Sequence, residues 1–185
     1  SLNSSWFIGD TTTDILTARN ANIKSILLRT GYCGTDNKFT IEPDYTFSNL
    51  NQAVSWILGE HSLIKKEAEK YLEDIINKRI IFIGGLARSG KSTWAQLIKE
   101  ILVDNHQNPN LICLDGWLVN ESDRKNNGTV SDRYKMKNID NFIKDIMKND
   151  EEININIPIY DRKLKSIKAD KIKHNIKKNS TVIIE

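Results

Sequence analysis

A glycine-containing segment that follows an apolar stretch constrains the fold of this 185-residue chain more than any other feature. The segment reads IIFIGGLARSGKSTW, and its opening residues have the apolar character of a buried strand. It matches the pattern G-x-x-x-x-G-K-[ST] at every fixed position. The matching residues, with the threonine that follows them, are Gly85, Leu86, Ala87, Arg88, Ser89, Gly90, Lys91, Ser92 and Thr93. Because a strand precedes the loop and a helix follows it, we expect a phosphate-binding loop; a glycine-rich surface turn with a solvated lysine is the alternative.

Each fixed residue of this pattern has a chemical reason. Gly85 and Gly90 allow the backbone to approach a phosphate closely, and the helix N-terminus behind them adds partial positive charge. The Lys91 ammonium is expected to reach the β- and γ-phosphates of ATP, and the Ser92 hydroxyl to ligate Mg²⁺. The sequence therefore predicts ATP and Mg²⁺ as cofactors.

Composition narrows the class of protein. The apolar fraction of 39% suffices for a packed core, and the net charge of +3 is too small to predict a nucleic-acid partner. Cys33 and Cys113 are far apart and in no metal-ligand spacing, so reduced thiols are expected rather than a disulfide or a zinc site. Without a signal-like start or a long apolar run, we expect a cytoplasmic protein with no membrane contact.

The order of apolar patterns divides the chain. SWFIG, DILTARNA, IKSILLR and NLNQAVSWIL alternate strand and helix signals, as in an open parallel sheet. Apolar residues at helical spacing predict one amphipathic helix over 62–77. We place the junction near residue 60, giving domains 1–60 and 61–185, with this helix in the second.

The second domain continues with strand and helix signals after the glycine loop. The segment LICLDGWLV ends a predicted strand with Asp115, where a parallel sheet presents its carboxyl end to ligands. A carboxylate there can accept a proton from an acceptor hydroxyl or hold Mg²⁺, whereas a loop-initiating aspartate is the plainer alternative. A helix is expected over 139–147, an edge strand or one with a single exposed face at EININIPIY, and a buried strand at STVIIE.

Residues 79–185 resemble the uridine kinase and phosphoribulokinase-like group of P-loop kinases. The resemblance rests on GGLARSGKST, LDGW, VSDRY, IPIYDR and TVIIE in that order. It implies that Asp115 acts as base and metal partner and that Glu185 contributes to the metal site.

The same resemblance assigns an acceptor pocket. Tyr160 and Asp161 match a segment that faces the acceptor, and Arg133 matches a region lining that pocket. The residues alone leave plainer alternatives open. Arg133 can pair with Asp132 or with a helix end, and Tyr160 can be a core residue. The lid and remaining strands that follow the final glutamate in this group are not in the 185 residues.

Two carboxylates in the first sixty residues suggest a second metal site. Asp10 and Asp14 lie four residues apart at the end of a predicted strand, where they can bind Mg²⁺ or act as caps. Residues 5–58 resemble the C-terminal end of haloacid dehalogenase-type phosphatases, closest to the histidinol-phosphate and heptose-bisphosphate branch. That resemblance implies that Asp10 and Asp14 hold Mg²⁺, whereas the family's nucleophile lies upstream of this chain.

Together these observations predict an α/β protein of two Rossmann-like, three-layer units with parallel sheets, the second a P-loop NTPase fold and both incomplete. The expected function is an ATP-dependent phosphotransferase with a small-molecule substrate, acting on a hydroxyl of a small metabolite such as a nucleoside or sugar (phosphate). It is joined to a phosphatase remnant. A polynucleotide kinase/phosphatase and a non-catalytic nucleotide-binding regulatory module are the alternatives. No oligomeric state is predicted.

Overall fold

The structure, a computed structural model, divides the chain into two compact units. It describes residues 4–86, 89–148, 151–161 and 164–185. The first unit ends at Leu72 and the second begins at Glu73, so the division falls later than the expected junction near residue 60. The reason is visible at His61, which makes edge-on ring contacts with Trp6 and Trp56 and so ties the following helix to the first unit.

The first unit is built on a parallel sheet, as its alternating pattern predicts. Its three strands have the order β1-β2-β3. They are β1 (Trp6–Gly9), β2 (Lys24–Leu28) and β3 (Tyr45–Phe47). Helix α1 (Thr12–Asn20) connects β1 to β2 and buries Ile15 and Ala18, which have 1% and 0% exposure.

The predicted single helix over 62–77 is wrong. The chain instead forms α2 (Leu50–Ser55), a π-helical turn (Trp56–Glu60), α3 (His61–Glu69) and α4 (Leu72–Ile75). The amides of Lys70 and Tyr71 donate to carbonyls only three residues back, which tightens and ends α3. Leu63 is 70% exposed and Tyr71 is 53% exposed, so the apolar spacing does not mark one buried face.

The second unit has a parallel sheet in which the last strand lies in the middle. Its strands β4 (Ile80–Phe82), β5 (Asn110–Ile112) and β8 (Val182–Ile184) have the order β4-β8-β5. Val182 pairs with Ile80 on one side and Asn110 on the other. Helix α5 (Lys91–Asp104) follows the glycine loop, and the α/β class with parallel sheets is therefore confirmed.

An antiparallel hairpin packs on this unit. Strands β6 (Ile153–Asp161) and β7 (Ser166–Ile176) form it, and β6 buries alternate residues as its sequence predicts. The sequence analysis missed β7. Helix α6 (Met136–Lys148) and a 3₁₀ turn (Leu114–Trp117) complete the unit. One core joins these elements, with Ile112, Trp117, Ile139, Phe142, Ile146, Ile157, Ile176, Val182 and Ile184 buried.

Within the described ranges, no helix has both the length and the apolar character that crossing a membrane requires.

Candidate functional site

The glycine loop joins β4 to α5 with the backbone geometry that its sequence predicts. Gly90 immediately precedes the helix with φ of 83°, a left-handed conformation that favours glycine. Its carbonyl accepts the amide of Trp94 at 3.0 Å, which starts the helical ladder. Gly85 also has positive φ, and a Cβ there would lie 3.0 Å from the Ser89 hydroxyl. Both glycines therefore meet a conformational requirement of the loop.

The lysine of the loop points back over the loop. The Lys91 ammonium donates to the Leu86 carbonyl at 2.9 Å, and the Ser89 amide donates to the same carbonyl at 3.3 Å. Ala87 and Arg88, which the sequence also assigns to phosphate binding, lie outside the described residues. Thr93 follows in the first turn of α5 and is half-buried. The ammonium is thus held beside backbone that a phosphate group would approach.

A hydrogen bond between two side chains at this end of the sheet joins Ser92 to Glu185. The Ser92 hydroxyl donates to Glu185 Oε1 at 2.9 Å across 93 residues of sequence. The other carboxylate oxygen, Oε2, is buried and has no hydrogen-bond partner among the described residues. A hydroxyl beside a carboxylate with an unsatisfied oxygen is a hard oxygen donor set of the kind Mg²⁺ prefers, so these residues fit the predicted metal.

Asp115 lies at the same end of the sheet. The Leu114 amide donates to the Glu185 carbonyl at 2.8 Å, and the Glu185 amide donates to the Ile112 carbonyl at 3.0 Å. These bonds hold the 3₁₀ turn that carries Asp115 against the end of β8. Asp115 and Glu185 therefore follow two strands, β5 and β8, that pair in parallel. In the described parts of the chain, no three His, Cys, Asp or Glu side chains form a metal-binding group, so any cation there would need serine, substrate or water oxygens.

The hairpin packs closely on the Asp115 turn at one glycine. A Cβ on Gly116 would lie 2.4 Å from both Ile157 Cγ2 and the Pro158 carbonyl oxygen. Only a residue without a side chain permits this approach. It places the end of β6, and hence Tyr160, near the turn.

A second segment, residues 131–135, is hydrogen-bonded through its backbone to the residues that follow the Asp115 turn. The Lys135 amide donates to the Trp117 carbonyl at 2.7 Å, and the Val119 amide donates to the Arg133 carbonyl at 2.8 Å. Burial raises the pKa of the Tyr134 hydroxyl, and the carboxylate of Asp115 raises it further. Tyr134, which the sequence analysis missed, thus lies within electrostatic range of Asp115.

Arg133 belongs to this segment, and its side chain is exposed. No hydrogen bond or ion pair to its guanidinium occurs within the described ranges, so the alternative of a pair with Asp132 is not seen. Asp132 instead accepts from the Thr129 hydroxyl at 2.8 Å and lies 3.6 Å from the Lys125 ammonium. These contacts lower the pKa of the Asp132 carboxyl, with the Thr129 hydroxyl as the largest cause. A substrate role for Arg133 stays a prediction.

Tyr160 and Asp161 both have protein partners. The Tyr160 hydroxyl accepts from Arg124 Nη2 at 2.7 Å, which excludes a purely apolar core role for this tyrosine. Asp161 accepts the Leu164 amide at 3.0 Å and lies 3.4 Å from the Lys168 ammonium, so it stabilises the hairpin turn. Arg124 escaped the sequence analysis because it belongs to no recognisable pattern.

In the first unit, Asp10 and Asp14 both accept backbone hydrogen bonds. Asp14 Oδ2 accepts the amides of Asp10 and Thr11 at 3.1 and 3.0 Å, and Thr11 accepts the Asp14 amide, forming a capping box for α1. Asp10 Oδ2 accepts the Tyr32 amide at 2.7 Å. Asp14 therefore acts as part of the helix cap, as the capping alternative holds. Metal binding by the two carboxylates is compatible with these contacts, because neither Oδ1 has a hydrogen-bond partner in the described part of the chain. It stays a prediction.

Comparison with known proteins bears on each unit. A family model described as HAD-hydrolase-like matches residues 1–53, and a search of curated proteins finds no match. Among solved structures, the chain is similar to a possible uridine kinase from Bacillus stearothermophilus, with 16% sequence identity and a TM-score of 0.54. The match covers 66% of this chain and 70% of that one. The likeness is one of fold. It agrees with the P-loop kinase fold expected for the second unit.

Proposed function

We propose that the second unit is an ATP-dependent phosphotransferase whose acceptor is a hydroxyl of a small metabolite. The hydrogen bond from Ser92 to Glu185 is the observation that carries the proposal. It joins the glycine loop to the carboxyl end of the central strand, beside Lys91, where a nucleotide phosphate and a cation would both be needed.

Each residue of the site has a distinct task in this proposal. Lys91 exchanges the Leu86 carbonyl for phosphate oxygens, and the amides of the loop and of the α5 N-terminus bind the same group. Ser92 and Glu185 hold Mg²⁺, which when bound neutralises phosphate charge. Asp115 orients the acceptor hydroxyl and accepts its proton as the oxygen bonds to the γ-phosphorus, while the bond from that phosphorus to the β,γ-bridging oxygen breaks and ADP leaves. Phosphoryl transfer depends on this positioning because the protein forms no covalent bond to the phosphate.

For the first unit we propose a phosphatase-related role. The HAD-hydrolase-like match over residues 1–53 supports it, and Asp10 and Asp14 lie at the carboxyl end of β1 as the carboxylate pair for Mg²⁺. The whole would then be a phosphatase–kinase pairing that acts on small phosphorylated metabolites.

Transfer of ³²P from γ-labelled ATP to a panel of sugars, nucleosides and their phosphates tests the kinase proposal. The Lys91→Ala variant should bind ATP roughly 30-fold or more weakly, because truncating one member of a charged, hydrogen-bonded pair costs about 2–5 kcal/mol. Lys99→Ala, on the same helix, is the matched control and should bind ATP normally.

Three results would count against this assignment in different ways. Unchanged ATP affinity in folded Lys91→Ala would reject the phosphate-binding loop. ATP binding without transfer to any acceptor would favour a regulatory module. Transfer only to oligonucleotide ends would favour a polynucleotide kinase.

A further inference from the structure

Arg124 occupies a defined position between the Asp115 turn and the hairpin. Its Nε donates to the Val119 carbonyl at 2.9 Å and its Nη2 donates to the Tyr160 hydroxyl at 2.7 Å. The guanidinium carbon lies 5.7 Å from the centre of the Tyr160 ring. The side chain is half-buried, whereas Ser122, Asp123 and Lys125 beside it in sequence are exposed. Arg124 is therefore held in one place rather than extended into solvent.

The loop that carries Arg124 is itself fastened to the hairpin. The Ile167 amide donates to the Asn120 side chain at 2.8 Å, and the Glu121 amide donates to the Lys165 carbonyl at 3.0 Å. These bonds fix residues 120–121 at the turn between β6 and β7. The segment that leads into Arg124 is consequently fastened to the hairpin at two consecutive residues.

Arg124 differs from nearby cationic side chains in the kind of partner that it has. Three lysines of the same surface each have a carboxylate partner: Lys125 with Asp132 at 3.6 Å, Lys165 with Glu121 at 2.7 Å, and Lys168 with Asp161 at 3.4 Å. Within the described ranges, the partners of Arg124 are a carbonyl, a phenol hydroxyl and an aromatic ring, all neutral.

A half-buried guanidinium with neutral partners retains binding capacity. Arginine stays protonated in proteins and presents five N–H donors, of which only two are engaged here by the contacts described. Partial burial of a positive charge without an anion is unfavourable, and an incoming anion reverses that cost. Arginine's planar fork also matches phosphate and carboxylate oxygens, with two parallel hydrogen bonds.

The same arginine lies close to the proposed reaction centre. Gly116, next to Asp115, packs against Ile157 and Pro158, which are three and two residues before Tyr160. Tyr134 is within electrostatic range of both groups: burial raises the pKa of its hydroxyl, Asp115 raises it further, and Arg124 opposes the rise. The Asp115 turn and Arg124 thus contact β6 within the four residues from Ile157 to Tyr160, so Arg124 is placed to meet a second group of a molecule whose hydroxyl reaches Asp115.

We propose that Arg124 determines acceptor specificity by binding an anionic group, a phosphate or a carboxylate, that the acceptor already carries before phosphoryl transfer. This inference rests on the proposed kinase function and narrows its acceptor from small hydroxyl compounds to anionic ones. The residue acts as a binding and specificity residue, and the proton is still accepted by Asp115.

Matched acceptor pairs test the proposal directly. The kcat/KM for transfer is measured with pentoses and their phosphates, nucleosides and their 5′-monophosphates, and polyols and the corresponding sugar acids. The parent protein should prefer one anionic member over its neutral counterpart. Arg124→Gln should lower kcat/KM for that anionic acceptor by about 10- to 100-fold, mostly through KM, and alter the neutral one by less than about 3-fold. Whether the preferred anion is a phosphate ester or a carboxylate identifies the source of the charge.

Two further variants separate recognition from folding. Arg124→Lys keeps the charge without the fork and should retain part of the preference, whereas Lys125→Gln, at the neighbouring exposed position, should retain all of it. If Arg124→Gln is unfolded, as judged by its thermal transition, Arg124→Lys decides. A preference for neutral acceptors in the parent, an unaltered preference in the Arg124 variants, or equal losses for both members of each pair would overturn the proposal.

Failure of the kinase function would be recognised separately. If no acceptor is phosphorylated, calorimetric titration of the same pentose phosphates and sugar acids without ATP still tests Arg124. Binding that is lost in Arg124→Gln and kept in Lys125→Gln would support an anion site, and absence of binding in the parent would reject it.

Discussion

Asp115 and Glu185 lie at the same end of the sheet because β5 and β8 pair in parallel and each carboxylate comes after its strand. Ser92, at the N-terminus of α5, contacts Glu185 from a third element. Side chains at this edge are held by backbone hydrogen bonds of the sheet rather than by flexible loops alone. Their relative positions should therefore tolerate substitution of one side chain without rearrangement of the others.

Replacing Asp115 by Asn should lower kcat for phosphoryl transfer by roughly 10²–10⁴-fold, the usual contribution of a general base. Asparagine preserves size and some hydrogen bonding but cannot accept the proton, so ATP affinity should change far less. Steady-state kinetics over a range of Mg²⁺ concentrations is the measurement. Partial rescue by high Mg²⁺ would indicate a metal-ligand role, and an unchanged rate would show that Asp115 is a loop residue. Asp132→Asn, an exposed aspartate paired with Lys125, is the control.

The local backbone geometry of the glycine loop was predictable from sequence. Gly90 and Lys91 belong to a short pattern in which a turn leads into a helix start, and Gly90 has a left-handed conformation immediately before α5. Their role in phosphate binding stays a prediction. Arg124 and Tyr134 were missed for the opposite reason. Their environment arises only when residues 117–119 pair with 133–135 and the hairpin closes over them, contacts that no local spacing encodes.

At the scale of elements, the packing of the hairpin on the 3₁₀ turn depends on Gly116. Gly116→Ala should destabilise the second unit by about 1–3 kcal/mol, since the new methyl group would overlap Ile157 and the backbone of Pro158. Urea unfolding followed by circular dichroism measures the change. Gly59→Ala, where an added Cβ meets no atom within 4 Å, should shift stability by less than about 1 kcal/mol. Equal effects of the two substitutions would contradict the described packing.

The hairpin should also make stability depend on pH through His174. This side chain pairs across the hairpin with Ile155 on the partly buried face, where desolvation, followed by the charge of Lys99, lowers its pKa below the ordinary 6.5. The unfolded chain then binds a proton more readily than the native one, so stability should fall as pH drops below about 6.5.

Unfolding by urea at pH 7.5 and 5.5 measures the effect of His174. The parent should lose more stability between these pH values than His174→Gln, while replacement of the exposed His106 by Gln should leave the parent's pH dependence intact. An identical pH dependence in the parent and His174→Gln would show that another group is responsible.

Element prediction failed where tertiary structure decided the outcome. Strand β7 contains three lysines and an aspartate among its eleven residues, a composition typical of a solvated segment, and it becomes a strand because β6 provides a partner. The helix expected over 62–77 had sufficient apolar residues, yet Ala68 is buried while Leu63 is exposed. Apolar periodicity indicates which residues can be buried together on one helix face. Tertiary packing determines which of them are buried.

At the scale of the whole molecule, each unit has its own core, so ligand binding should stabilise the units separately. With Mg²⁺ held constant, ATP at about 100 times its Kd should add about 2.7 kcal/mol to the stability of the second unit only. Hydrogen exchange resolved by peptide is the measurement, comparing peptides within 89–148 with peptides within 4–60. Slowed exchange in both regions to the same extent would show that the units do not unfold independently.

The central position of β8 has a consequence for how the protein is made. The strands of the first unit are close together in sequence, so that unit can fold soon after it leaves the ribosome. By contrast, β4 and β5 do not pair with each other. Both pair with β8, which is synthesised after the whole hairpin. Ribosome-bound nascent chains that stop before Val182 should therefore show a protease-resistant first unit and a protease-sensitive second one, and resistance in both would contradict this order. We expect translation to expose the edges of β4 and β5 to chaperones until β8 (Val182–Ile184) has emerged.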